Sequence, residues 1–336
     1  MTADGFSIDL AYLMDGLQDL KVDRDPLAAA VPLVNDLGKY LSDHMRPDHL
    51  SRLRLLALSA NPWIQVRNLH NPAKVAGDTP VERLPQLGDH RWWSSAFATL
   101  SLLGALDLRV VSYTCEHQGQ VFVHLVPEPG TGSRSESSMG AMRGHTDALH
   151  FPFPDEFEQA KNIPPPAPDF VVLTGIRNPN NTNTLVARLT KLLEKISSRS
   201  QDWLRQPIFL FKRQGTFETA ADKFIGGPVL KRHDRYGDFI RFSISGVGVD
   251  AEKFPEAEKA LEELGSALLE CREPICISPG DIVLVNNRTA LHGREALQKQ
   301  LYGGQARWLL RTYGYRQDTP GRFKDSSKPH LLSCER

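Results

Sequence analysis

The chain has 336 residues, 40% hydrophobic and 24% charged, an ordinary balance for a globular protein. Lys plus Arg and Asp plus Glu number 40 each, so no net field draws it to nucleic acid or to an anionic membrane. No stretch approaches the roughly 20 apolar residues that cross a bilayer, and Met1-Thr-Ala-Asp-Gly lacks the basic and apolar regions of a signal peptide.

Residues 1–60 carry apolar residues at helical spacing: Leu10, Leu13 and Leu17, then Leu50, Leu53, Leu55, Leu56 and Leu58, with Asp48 as a cap. Trp63 to Leu69 alternates and reads as the first strand, and Trp92 to Leu106 as a buried helix. Strands over Leu108–Cys115 and Gln120–Val126 flank His117-Gln118-Gly119, which predicts a hairpin. A Gly/Ser-rich loop over Pro127–Gly144 and a second loop over Pro152–Pro168 follow. Such loops beside a site close over substrate. Phe170–Thr174 reads as a buried strand and Leu185–Ile196 as a helix. Further strands are expected at Ile208–Lys212, Phe239–Ser245, Ile282–Val285 and Trp308–Tyr313, with a helix over Glu256–Leu269.

Many short strands with inserted helices predict a mainly β fold, a double-stranded β-helix (jelly roll) decorated by helices. A doubly wound α/β fold needs regular strand–helix alternation and a Gly-rich first turn, and neither is present. One domain accounts for the length, with a helical part over 1–60, the jelly-roll core over 61–318 and a tail over 319–336. Cys115, Cys271, Cys276 and Cys334 are too few and scattered for a disulfide framework or a zinc site. They read as free thiols in a reducing cytoplasm.

The chemistry concentrates in His145-Thr146-Asp147 and His292. On a strand, side chains two apart share a face, so His145 and Asp147 grip one metal from a single strand while His292 arrives from a facing one. Two imidazoles and one carboxylate suit ferrous iron and leave positions open for a chelating cosubstrate and O2. Chance alone supplies a His-x-acid triplet in a chain with 11 His and 40 acidic residues, so the downstream context matters. There Pro279-Gly280-Asp281 supplies a turn, Ile282–Val285 a strand, and Asn286-Asn287-Arg288 a polar exit towards His292. Arg307 and Arg311 share one face of the next strand, with Trp308 and Leu310 on the other, and the Arg fork suits bidentate capture of carboxylates.

Gly144-His-Thr-Asp147, the Pro279–Arg294 run and the paired arginines resemble the Fe(II)/2-oxoglutarate dioxygenases. The similarity is to the taurine dioxygenase and clavaminate synthase-like group and spans about residues 60–318. Trp92-Trp93, Glu116-His-Gln-Gly119 and Asn183-Thr-Leu-Val-Ala187 resemble its hydroxylases of free amino acids. The resemblance implies that His145, Asp147 and His292 bind Fe(II). It implies that Arg307 and Thr184 hold the distal carboxylate of 2-oxoglutarate, Arg311 the substrate's α-carboxylate, and Glu116 or Gln118 its α-amino group. The implied reaction is O2-dependent hydroxylation of an unactivated C–H of a free L-amino acid, lysine or similar, yielding succinate and CO2.

The implied state is monomer or homodimer. Asp147 stands where clavaminate synthase-like enzymes commonly use Glu. Ser243 and Ser245 stand where hydroxylases of basic amino acids carry Asp. Recognition of a cationic side chain then falls to the long loops, or the substrate is not cationic. Other readings are an oxygenase of a small sulfonate or another acid, and a non-catalytic jelly-roll binding protein. A zinc hydrolase leaves the arginine pair unexplained, and a chlorinating enzyme would lack the Asp147 carboxylate.

Overall fold

The computed structural model describes residues 5–10, 24–71, 77–128, 138–157, 164–218, 225–297, 302–323 and 327–334. In chain order these form strand β1 (Phe6–Asp9), helices α1 (Ala30–His44) and α2 (Pro47–Ala57), strand β2 (Trp63–Arg67) and helix α3 (Trp93–Ala105). Strands β3 (Arg109–Tyr113), β4 (Val123–Leu125), β5 (Met142–His145), β6 (Phe170–Arg177) and β7 (Asn183–Arg188) come next. Helices α4 (Leu189–Lys195) and α5 (Ser198–Leu204) lead to β8 (Phe209–Phe211), β9 (Ile225–Gly227), β10 (Leu230–His233), β11 (Gly237–Ile240) and β12 (Val247–Gly248). Helix α6 (Pro255–Glu270) precedes β13 (Arg272–Cys276), β14 (Ile282–Asn286), β15 (Ala290–Arg294), β16 (Trp308–Tyr315) and β17 (Leu331–Leu332).

The strands build the expected jelly roll of two facing sheets. One has eight strands in the order β1-β2-β14-β6-β16-β3-β17, with β4 beside β16; the other has four, β13-β7-β15-β5. Alternation along the central strands decides what each face meets. On β14, Ile282 and Leu284 turn outward into the core shared with α1–α3, while Val283 and Val285 turn inward between the sheets. On β16, Trp308 and Leu310 face outward, and Leu309 and Tyr313 inward. The smaller sheet buries Val186 and Ala290 on its inner face, and Ala187 and Leu291 under α4–α6. Strands covered on both faces read as unbroken apolar runs, which is why Ile282–Val285 has no polar position. Helix α3 crosses α1 so closely that a Cβ on Gly104 would lie 2.0 Å from the Val34 carbonyl oxygen.

Several expectations are corrected. Residues 6–9 are a strand paired with β2, and the N–H of Leu10 donates to the Arg67 carbonyl, so the helical pattern there fails. Leu13 and Leu17 lie outside the described residues. Pro47 starts α2, and Asp48 sits in its first turn rather than at the cap, where an acid still favours the helix amino end. Strands β3 and β4 do not form a hairpin. Both pair with β16, β4 at Leu309–Arg311 and β3 at Tyr313–Tyr315, so they run end to end. The turn between them places His117 and Gln118 at positive φ, 47° and 58°.

The segment expected as a helix from Leu185 begins as β7, because β13 and β15 claim its backbone on both sides. Only Leu189 onward is helical. Of the two expected loops, 129–137 and 158–163 lie outside the described residues, and Met142–Gly144 already belongs to β5. The cysteines are not all free: Cys115 and Cys334 form a disulfide. Parallel pairing of β17 with β3 brings together two residues 219 apart in sequence, a proximity no spacing rule reveals. Cys271 and Cys276 are free. No helix among the described residues is long and apolar enough to cross a membrane.

Two buried histidines make this core sensitive to acid. Burial pulls His70 down to about 4 and His124 down to about 3. His70 Nε2 contacts Ser95 Oγ at 2.8 Å, and the Trp308 indole N–H donates to His124 Nδ1 at 3.0 Å. Below their ordinary value of 6.5 the unfolded chain binds protons that the folded chain refuses. Stability is therefore complete above pH 6.5 and falls as pH drops towards 4. The thermal midpoint of the chelator-treated protein is expected to be lower at pH 5 than at pH 7.5, and His70→Asn to flatten that decline.

Candidate metal centre

Strand β15 delivers His292 directly opposite His145 of β5 in the antiparallel ladder. Opposed residues share a face, and here the rings tilt together with centroids 4.5 Å apart. Asp147 lies just past the end of β5, in a turn. Two details of the expectation are thus corrected: Asp147 is not on the strand, and His292 comes from the adjacent strand of the same sheet rather than from the facing one. The close approach of β15 to β5 needs Gly293, since a Cβ there would meet the Met142 carbonyl oxygen at 2.4 Å.

Donor atoms of the three side chains all lie within 4.8 Å of one another. His145 Nε2 is 2.9 Å and His292 Nε2 3.8 Å from the same oxygen, Oδ1 of Asp147. Ligands about 2.1 Å from one ion and at right angles are about 3 Å apart, so the spacing fits a single divalent cation. The other oxygen, Oδ2, accepts a hydrogen bond from the Tyr313 hydroxyl at 3.1 Å and lies 3.8 Å from Arg311 Nη1. Oδ1 faces the two imidazoles, with the Gln214 amide donating to it at 3.5 Å. Burial alone would raise the Asp147 carboxyl, but His292, His145 and Arg311 outweigh it and hold the group well below the usual carboxylate range. It stays an anionic donor, as a metal ligand must.

A pocket opens in front of these donors. Leu125, Val171, Leu173 and Leu309 supply apolar walls, and Thr184, Arg294, Arg307 and Arg311 the polar lining. Thr184 comes from β7 and is 2% exposed. Arg307 and Arg311 do share a face, as alternation requires, and both are buried, at 9% and 4% exposure. They differ in their partners. Arg311 Nη2 donates to Glu116 Oε1 at 2.9 Å, and that oxygen also accepts from Thr216 at 3.1 Å and lies 3.2 Å from the Tyr313 hydroxyl, whose one hydrogen it shares with Asp147.

No hydrogen bond or ion pair reaches Arg307 among the described residues, and its Nε is buried without a partner. Burial, with Arg294 nearby, pulls Arg307 down to about 9, which still leaves it charged at neutral pH. A buried, unmatched guanidinium calls for an anionic ligand.

Gln118 is exposed at the tip of its turn and lines no part of this cavity. Ser243 bridges to His145 from the segment beyond β11, and Ser245 is exposed. Sequence reasoning missed Tyr313, Gln214 and Asn287. The signal for Tyr313 was present: it lies two residues past Arg311 on the same strand, hence on the same face.

A mononuclear two-His, one-carboxylate centre inside a jelly roll defines a non-haem iron oxygenase. The chain belongs to the taurine catabolism dioxygenase TauD, TfdA family, which matches residues 107–313. It is similar to an L-lysine 3-hydroxylase of Catenulispora acidiphila, 23% identical over 338 residues that cover 96% of this chain and 83% of that protein. The solved structure of asparagine oxygenase in complex with Fe(II), 2S,3S-3-hydroxyasparagine and succinate matches with a TM-score of 0.79 at 19% identity, covering 98% of this chain and 99% of the other. The non-heme iron oxygenase OrfP in complex with Fe and alpha-ketoglutaric acid matches at 0.80 and 19%, with the same coverage. These structures share the fold.

Asp147→Ala should lower Fe(II) affinity more than about 100-fold, since even outer partners of metal ligands typically cost 10–100-fold. Calorimetric titration checks this, and an unchanged far-UV dichroism spectrum would show that the fold is retained.

Proposed function

We propose that this chain hydroxylates an unactivated C–H bond of a free L-amino acid, using Fe(II), 2-oxoglutarate and O2 and releasing succinate and CO2. The observation that carries this reading is the buried Arg311–Glu116 ion pair beside the metal ligands. A zwitterionic amino acid presents a carboxylate and an ammonium on adjoining atoms, and Arg311 and Glu116 offer one charge complementary to each. Arg311 takes the α-carboxylate and Glu116 the α-ammonium.

His145, Asp147 and His292 hold the iron. Bound there, iron supplies O2 activation and C–H cleavage as 2-oxoglutarate is decarboxylated. The protein's part is to position and to exclude water. Arg307, which has no acidic partner among the described residues, pairs with the far carboxylate of 2-oxoglutarate, and the Thr184 hydroxyl donates to it. Leu125, Val171, Leu173 and Leu309 keep bulk water from the reacting atoms. Tyr313 touches both the metal carboxylate and Glu116, so it ties the substrate's amino anchor to the ligand set.

Carbon 3 is the carbon named for the lysine hydroxylase and for the asparagine product among the similar proteins. Carbon 3 is therefore the expected position of oxygen insertion. Lysine heads the candidate substrates.

A panel of the twenty amino acids, assayed for succinate formation dependent on Fe(II) and 2-oxoglutarate, tests the reading. At least one should give coupled succinate and a product heavier by one oxygen. Succinate release stimulated by none of them would end the proposal. Arg311→Ala should raise KM for the amino acid about thirtyfold or more while changing that for 2-oxoglutarate little, and Arg307→Ala should do the reverse. Equal effects on both substrates would show the two arginine roles to be misassigned.

A further inference from the structure

The Asn286-Asn287-Arg288 turn carries the chain from β14 of the larger sheet to β15 of the smaller one. It also reaches back to the metal ligands. The Asn287 carboxamide bonds both backbone groups of a single residue: the Asp147 N–H donates to Asn287 Oδ1 at 2.8 Å, and Asn287 Nδ2 donates to the Asp147 carbonyl at 3.0 Å. Its second Nδ2 hydrogen goes to the Pro168 carbonyl, also at 3.0 Å. One amide orientation alone satisfies these three partners, because the oxygen must meet the N–H and the nitrogen the two carbonyls.

Asp147 sits beyond the end of β5, with no ladder of its own to hold it. Backbone amides on either side are held by other segments: Thr146 N–H donates to the Phe242 carbonyl at 3.0 Å, and Ala148 N–H donates to the Gln214 side chain. At Asp147 itself Asn287 takes the place of a neighbouring strand. Asn287 is in turn fixed on a rigid frame. Its N–H donates to the Asp169 carbonyl at 2.8 Å, and the next residue, Arg288, pairs with the Asp169 carboxylate at 3.3 Å, both side chains 2% exposed.

We propose that Asn287 is a positioning residue for the metal centre: it sets where the Asp147 carboxylate stands relative to His292, five residues further along the same turn and strand. This rests on the metal reading given above. A ligand set tolerates misplacement of only about 0.5 Å. Loss of the amide therefore weakens metal binding beyond any general loss of stability.

Asn286 provides the matched control. It is equally buried, and its side chain also serves backbone groups, accepting from Arg288 N–H at 3.1 Å and donating to the Asn61 carbonyl at 3.1 Å, on the side away from Asp147. The experiment titrates the chelator-stripped full-length chain with Co(II) by calorimetry and measures the thermal midpoint of each metal-free form. Asn287→Ala is expected to bind Co(II) about 10–100-fold more weakly than wild type, and Asn286→Ala within about twofold, for comparable losses of thermal stability.

If Asn287→Ala does not fold, Asn287→Ser serves instead, since a hydroxyl on a shorter side chain has a single hydrogen and cannot serve the Asp147 N–H and both the Asp147 and Pro168 carbonyls as the amide does. The same direction is expected. Wild-type Co(II) affinity in the Asn287 variant, or an equal loss in both variants, overturns the positioning role alone. A wild-type protein that binds no Co(II) overturns the metal reading as well.

Discussion

The antiparallel pairing of β5 with β15 is the contact on which the other features of the site depend. Side chains on a strand alternate with period two, so a one-residue slip in register would turn His145 or His292 from the interior to the helical layer outside. The observed register sets the two imidazoles opposite each other. The same parity puts Thr184 of β7 into the cavity beside them, since Thr184 pairs with Arg294 on β15. On the facing sheet it brings Leu309, Arg311 and Tyr313 inward while Trp308 and Leu310 pack against the helices. One register and one alternation rule thus assemble donors from segments nearly 150 residues apart.

Within that interior the charges fall into two kinds. Some are already matched: Arg311 with Glu116, and deeper in the frame Arg288 and Arg316 with Asp169. Matched buried charges hold geometry, because removing one partner leaves the other stranded at a cost of several kcal/mol. Arg307 differs: it lines the cavity, and among the described residues no protein anion stands against it. The contrast follows from position. Arg311 points to where Glu116, on the turn after β3, can reach it; Arg307 precedes β16, and beside it stands another cation, Arg294.

Much of this was legible in the sequence because it depends on local periodicity. The apolar run at Ile282–Val285, the shared face of Arg307 and Arg311, and the candidate donors His145, Asp147 and His292 need only strand parity and donor chemistry. What was not legible depends on pairing between distant segments. Residues from Leu185 scan as a helix until β13 and β15 take the first four as strand. Residues around Gly119 scan as a hairpin until β16 offers both flanking strands one long edge. Cys115 and Cys334 scan as thiols until β17 docks beside β3. Gln118 looked equivalent to Glu116 in sequence, but two residues at positive φ swing it to the surface. The jelly roll could be named from strand count and length; the register that makes a site of it could not.

The Arg307 guanidinium, unmatched among the described residues, has a consequence for the protein as a whole. Arg307 lines the pocket beside another cation, Arg294, and a dianion that pairs with it does so only in the folded form. On the role proposed for Arg307, cosubstrate binding and folding are thermodynamically linked, and occupancy shifts the balance away from unfolding by mass action. The enzyme's lifetime would then follow the supply of the molecule it consumes: long-lived when 2-oxoglutarate is plentiful, and quicker to unravel when it is scarce.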